Sequence, residues 1–317
     1  MQVLLISFLM SKFQKTVSVI LLAAVLLLLV LLPKHIGELL DRPGWLDWLQ
    51  PKQEPFRGII KIWHVAAIRP YLGSLGNWLK KYAAVMEKKH FGVYLNVDSI
   101  TPEEAEARFA EGEQPDVISF PAGFMSPQEL VQLELTDSDV TVDMAAGKVN
   151  GEIYAVPYCA SCRLILFDPG KYTKEQFAIE DGHIEAETNG FESFKNGKCD
   201  CCIADVRQAG ELSRLVAANK GRYFEVLPFE TGTELVQFIG AESNAEKEKM
   251  PYILEFITLL TDQKTQQSLT ELGLMPLAPD TELRYEQRFL TDAYTLIRNG
   301  QGVRITAFKN EKNGDEQ

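Results

Sequence analysis

The period of the apolar positions changes several times after residue 58, and each change marks an element. GIIKIWH, Gly58 to His64, is a short apolar run rich in isoleucine and predicts a first strand. In LGSLGNWLKKYAAVMEKKH, Leu75, Trp78, Leu79, Tyr82 and Met86 fall on one stripe with lysines opposite, which predicts an amphipathic helix. VYLNVDSI, Val93 to Ile100, predicts a second strand. TPEEAEARFAEGE then supplies Thr101 as N-cap, Pro102 at the first helical position and Glu104 at the capping-box position, so a short acidic helix should end near Gly112. PDVISF, Pro115 to Phe120, predicts a third strand. Strand, helix, strand, helix, strand implies a parallel sheet with crossover helices, an α/β fold.

The middle of the chain changes character. VNGEIYAVPY predicts a turn at Asn150-Gly151 and a strand after it, and RLILFD, Arg163 to Asp168, predicts another. KYTKEQFAIEDGHIEAETNGFESFKNG is polar and weakly periodic, with little that can form a core. CDCCIAD reads as a strand, RQAGELSRLVAANKG as a helix, and RYFEVLPF and TELVQFIGAE as strands. Ile253, Phe256, Ile257 and Leu260 give the next segment an apolar stripe, and Thr261-Asp262 divides it into two helices. A last helix should cover about Arg284–Arg298, followed by a charged tail.

The N-terminal stretch has no such periodicity. TVSVILLAAVLLLLVLLP, Thr16 to Pro33, carries no charge and is long enough to cross a hydrocarbon core of about 30 Å. Lys12 and Lys15 precede it, which favours a cytoplasmic N-terminus, and MSKFQK after Met10 is the better charged lead-in if translation starts there. A cleaved signal peptide is the competing reading. Against it, the apolar run is longer than a usual signal core, and the bulky KHIGELLDRP follows without a small-residue cleavage site. The expectation is an uncleaved signal anchor over residues 1–33, a single pass with the C-terminal domain extracytoplasmic at the cell membrane. A linker over 34–57 holds Pro43, Pro51 and Pro55, with Trp45 and Trp48 suited either to a membrane interface or to packing on the domain. Residues 58–317 form the globular part.

Charge and motifs narrow the chemistry. The net charge of −12 over 317 residues, with no basic stripe, argues against a nucleic-acid partner. The histidines, His35, His64, His90 and His183, have no metal-ligand spacing. There is no GxSxG, no P-loop and no GxGxxG, and the carboxylates are scattered. No constellation argues for an enzyme or a cofactor. Open parallel sheets bind ligands at the carboxyl ends of their strands. The candidate set is therefore Trp63, His64, Phe120, Pro121, Tyr158, Asp205 and Phe229. Aromatics there suit a small-molecule cleft, and equally they suit the cap of a core.

Five pieces in order resemble one family, the extracellular solute-binding proteins of ABC transporters in the maltose-binding-like branch. They are GIIKIWH with LGNWLKKYAAVMEKKHFGVYLNV, EARFAEGEQPDVISFPAG, VNGEIYAVPYCAS, FKNGKCDCCIAD, and Ala241–Leu277 ending in ELGLMPLAP. They span about Gly58–Pro279. The resemblance implies a two-lobe, periplasmic-binding-protein-like type II fold. The first lobe would take about 58–150 plus part of 230–280, and the second about 155–228 plus the C-terminal helix. It implies a sugar or other small polar solute in an interlobe cleft, and ABC permease subunits as membrane partners. Where the family carries a long helical insert after LILFD, this chain has only the polar stretch between Asp168 and Gly190, so the second lobe is expected to be pruned. That departure keeps a second reading open, a degenerate scaffold or sensor that binds protein.

The cysteines keep a third reading open, an extracytoplasmic thiol or metal protein. All five lie in YCASC and KCDCC: Cys159, Cys162, Cys199, Cys201 and Cys202. Strand alternation would put Cys199 and Cys201 on one face and Cys202 on the other, too far apart along the strand to bridge each other. In the family's register the two groups would be sheet neighbours. They are then buried thiols replacing small apolar residues, a cross-strand disulfide outside the cytoplasm, or a thiolate site whose spacing is not that of a standard zinc site.

Overall fold

The computed structural model describes residues 56–136, 138–177, 190–229, 232–300, 302–303 and 307–309. In chain order its elements are β1 (Gly58–Val65), α1 (Leu75–Lys89), β2 (Val93–Ile100), α2 (Pro102–Ala110), β3 (Val117–Pro121), β4 (Lys148–Val149), β5 (Glu152–Ile153), β6 (Val156–Ala160) and β7 (Arg163–Phe167). Then come the single turn α3 (Lys174–Phe177), α4 (Phe191–Lys195), β8 (Cys201–Asp205), α5 (Val206–Ala217), β9 (Glu225–Pro228), β10 (Gly232–Thr233) and β11 (Val236–Ala241). The chain closes with α6 (Met250–Thr261), α7 (Gln263–Gln267), β12 (Met275–Pro276), α8 (Arg288–Asn299) and β13 (Gly302–Val303).

Local chemistry explains the boundaries. Ser74 Oγ accepts from the Asn77 amide at 3.1 Å and starts α1. Thr101 Oγ1 accepts from the Glu104 amide at 3.2 Å and starts α2, with Pro102 in the first turn. Asp262 takes extended backbone between α6 and α7 and accepts from the Lys264 amide at 3.0 Å, which is the predicted division. Asn150 and Gly151 have φ of 54° and 89°, the paired positive values that a two-residue hairpin turn between β4 and β5 demands.

Two sheets organise the unit from Phe56 onward. The larger has the order β12-β6-β11-β3-β1-β2. Its β2, β1 and β3 are parallel, as the alternation of strands and helices predicts, while β11 runs antiparallel to both β3 and β6. The smaller is antiparallel with order β8-β7-β9. On one face of the larger sheet, Leu75, Trp78 and Leu79 of α1 and Ile253, Phe256 and Ile257 of α6 close over Ile60 and Ile62. On the other face, Trp63, Ile118, Phe120 and Phe238 share one continuous apolar core with Leu164, Leu166 and Cys202 of the smaller sheet and Leu290, Tyr294 and Ile297 of α8.

The chain leaves the larger sheet later than expected. VPYCA is fully buried and pairs with β11 and β12, so β6, which the expected boundaries gave to the second lobe, belongs to the larger sheet. The strand predicted from Cys199 begins at Cys201, and the last helix begins at Arg288. The apolar span Thr16–Pro33, the linker up to Pro55 and the core of the polar stretch, residues 178–189, lie outside the described residues. Among the described residues no helix is long and apolar enough to cross a membrane.

Candidate functional site: the cleft between the sheets

The chain passes between the two sheets at Ser161-Cys162, and again between β9 and β11. Both passages are stitched together. The Ser161 amide donates to the Leu235 carbonyl at 2.8 Å. Thr233 Oγ1 donates to the Ser161 carbonyl at 2.5 Å and accepts from the Leu235 amide at 3.1 Å. Thr233 is itself buried, so these bonds are made out of water, where leaving either partner unpaired is costly.

Beside this double crossing opens a cleft of about 380 Å³. Ala67, Ile68 and Arg69 line it from the loop after β1, Ser161 and Leu235 from the crossings, and Arg163, Ile203, Ala204, Asp205 and Gln208 from the smaller sheet and α5. That volume lies within the range of small-molecule sites, about 300–1,000 Å³. Asp205 caps α5: its Oδ1 accepts from the Gln208 amide at 2.7 Å, and Gln208 Oε1 accepts from the Asp205 amide at 2.9 Å. Arg163 stands directly opposite Asp205 because β7 and β8 are antiparallel, which brings the start of one strand to the end of the other.

Of the strand-end residues, Asp205 lies on this wall. The structure places the others elsewhere. Trp63 is buried, with its ring 5.2 Å from that of Phe109 and the Arg108 guanidinium 5.5 Å away. Phe120 packs on Phe238 at 6.0 Å inside the core. His64 and Tyr158 are both buried and meet through Ser119, whose Oγ lies 3.0 Å from His64 Nδ1 and 2.8 Å from the Tyr158 hydroxyl. Tyr158 also stacks on Trp78 at 5.9 Å. Gln237 Nε2 completes the hub, donating to Ser119 Oγ at 3.1 Å and to the Val65 carbonyl at 3.0 Å. Burial pulls the His64 pKa down to about 4 and pushes the Tyr158 phenol well above its usual value. Pro121 is half-buried at the end of β3 and Phe229 is exposed after β9. The reason is topological: β1, β3 and β6 are interior strands of the larger sheet, and Trp63, Phe120 and Tyr158 pack into the cores on its two faces. Arg69, Arg163, Ser161 and Gln208 were missed by the strand-end rule, although an arginine opening the apolar run RLILF was a visible irregularity.

The two cysteine groups are not sheet neighbours, and none of the five cysteines is in a disulfide. Cys159 lies in β6 opposite Gln237 and Pro276, whereas Cys201 and Cys202 pair with Phe167 and Leu166 of β7. The YCASC strand joined the larger sheet, which removes the expected cross-strand partner. Cys202 faces the continuous core and Cys201 the small cluster with Ile165 and Phe167, as alternation requires. Cys199 precedes the strand and packs toward the core on the Cys202 side, its Sγ 3.6 Å from the Gly190 carbonyl. Among the described residues no group of three or more His, Cys, Asp or Glu is arranged to hold a metal ion. Burial pushes the Cys162 and Cys202 thiols up to about 12 and raises Cys159 further. A thiol reacts as its thiolate, so these three should be silent toward a water-soluble disulfide reagent at pH 8 in the native protein and react once urea unfolds it. Stoichiometric labelling of Cys202 before unfolding would contradict this placement.

No family model and no curated protein matches the chain. Solved structures do. The maltodextrin-binding protein MalE1 from L. casei BL23 superposes with a TM-score of 0.56 at 12% identity, covering 80% of this chain and 89% of that one. The GacH receptor of Streptomyces glaucescens, solved unliganded and with acarbose, gives 0.54 at 14% identity over 81% and 89%. A chitin oligosaccharide binding protein gives 0.53 at 12% identity over 80% and 89%. At such identities the likeness is one of fold, and the fold of this chain is the α/β architecture of the periplasmic-binding-protein-like structures.

Proposed function

We propose that this protein is the solute-binding component of an ABC-type transporter. It is held at the cell membrane by the span Thr16–Pro33, with its globular part extracytoplasmic, and it presents a small polar solute to permease subunits. The observation that carries the reading is the cleft beside the double crossing, on a fold shared with proteins named for binding maltodextrins and chitin oligosaccharides. Two strands crossing side by side are a natural hinge, since a few residues there absorb a rigid rotation of one sheet against the other. Binding and closure would be the whole mechanism, with no covalent chemistry.

The test is a ligand screen by thermal shift on the full chain in detergent, repeated with Ala67→Trp. Ala67 is exposed on the cleft wall, so an indole there fills the cleft without entering the core. A saturating solute at about 100 times its Kd should stabilise the protein by about 2.7 kcal/mol, and the variant should lose that gain while melting normally without ligand. Undiminished binding by the variant would remove the cleft from the reading.

One observation favours the alternative, a scaffold or sensor that binds protein. The core is continuous from the larger sheet through α8 to the smaller one, and α8 packs on β9. A shared core resists hinge opening. The thiol or metal reading loses weight because burial raises Cys159, Cys162 and Cys202 away from reactivity.

A further inference from the structure

We propose that the cleft takes a small organic acid, a solute recognised by its carboxylate, and not a neutral sugar. This rests on the solute-binding reading and names its ligand class. Two features of the wall point there. First, the lining side chains are Ala67, Ile68, Leu235 and their polar neighbours, with no aromatic ring among the lining residues. A neutral pyranose offers a site only hydroxyls and a weakly apolar face, and that face is best met by a flat aromatic surface. Of the four aromatics the sequence offered for this role, Trp63, Phe120 and Tyr158 are buried in the core, and Phe229 is exposed but is not among the lining residues.

Second, the wall carries two guanidinium groups, Arg69 and Arg163. Both side chains are exposed, and neither has a hydrogen-bond or ion-pair partner among the described residues. Arg108 and Arg222, by contrast, are engaged: Arg108 bonds Asp98 and Glu104 at 2.6 Å each, and Arg222 bonds Asp168 and Asp200. The chain has 44 acidic residues against 32 lysines and arginines, so unengaged guanidinium groups on the two sides of one cleft run against the overall balance. Asp205 is the lining carboxylate, and one of its oxygens is committed to the first turn of α5. The wall is therefore locally cationic on a protein of net charge −12. A guanidinium presents paired N–H donors in a planar fork that matches a carboxylate, which gives orientation as well as attraction. Arg69 comes from the larger sheet's loop and Arg163 from the smaller sheet, so a bound acid would bridge the two and favour closure. Asp205 and Gln208 would be left to read hydroxyls on the rest of the solute.

The experiment is titration calorimetry on the full chain with matched pairs that differ in the carboxylate: D-glucuronate against D-glucose and D-galacturonate against D-galactose, with succinate and maltotriose as outliers of each class. At least one acid should bind at least 10-fold more tightly than its neutral partner. Arg69→Gln and Arg163→Gln should each weaken it at least 10-fold, with the melting temperature of the ligand-free protein unchanged. Tighter binding of the neutral sugars, or acid binding indifferent to both arginines, would overturn the ligand class while leaving the solute-binding reading standing. No heat with any acid or neutral sugar would overturn both.

Discussion

Replacing Gln266 by alanine should lower the unfolding free energy by about 3–5 kcal/mol, the largest single-site loss expected outside the apolar core. The side chain is fully buried in α7, yet its amide is completely used. Nε2 donates to the Tyr158 carbonyl at 2.7 Å and to the Leu260 carbonyl at 2.8 Å. Oε1 accepts from the Leu277 amide at 2.8 Å and from the Ala278 amide at 3.4 Å. One residue thus ties β6, the end of α6 and the segment after β12. Alanine leaves buried backbone groups without that partner, and each such orphan costs about 1–3 kcal/mol, with some relief where a carbonyl keeps a second bond. Gln266→Glu is the discriminating control: it keeps the acceptor and the volume but offers two carbonyls no donor, so it should be nearly as damaging. Urea midpoints with an unchanged m-value read the loss. A cost below about 1 kcal/mol for both variants would mean that this junction is not held as described.

Gln266 also shows where the sequence stops being informative. TDQKTQQ reads as a polar surface segment, and nothing in its period says that one glutamine of three points inward. By contrast, α1 was legible because its apolar stripe repeats at the helical period, and α2 because its cap is local: Thr101 needs only an amide three residues away. The parallel pairing of β1, β2 and β3 was legible because crossover helices permit little else. The sheet to which VPYCA belongs was not, because a short apolar strand is compatible with either sheet, and its partners β11 and β12 lie far along the chain. That one ambiguity displaced the cysteines from their expected pairing. The candidate set meets the cleft lining only at Asp205 for a related reason. The strand-end rule found Asp205 but could not find Arg163, which reaches the cleft from the start of its strand through antiparallel pairing with β8. It also could not separate strand ends that reach solvent from those that continue into a core, as at Trp63, Phe120 and Tyr158.

Between pH 6.5 and pH 4 the protein should lose about 3 kcal/mol of stability through His64 alone. The imidazole is 2% exposed in β1, and burial holds its folded-state pKa at about 4 against an ordinary value of 6.5. The unfolded chain therefore binds a proton through this window while the folded chain does not, and stability must fall as the pH falls. The contribution is fully present above pH 6.5 and is lost progressively down to about pH 4. Among the described residues, the groups bonded around the ring offer no negative charge to offset protonation: Ser119 bonds Nδ1, and Ser119 in turn serves Tyr158 and Gln237. Tyr158 stays neutral throughout, since its phenol is raised. Carboxylates elsewhere add their own acid sensitivity, so the informative quantity is a difference. His64→Asn keeps a polar group near Ser119 and cannot titrate in this range. Its stability, measured by urea unfolding at pH 7 and at pH 4.5, should fall by about 2–3 kcal/mol less than that of the natural protein. Parallel losses in the two proteins would show that His64 is either charged in the folded state or open to water, and that the hub at Ser119 is not closed as the structure has it.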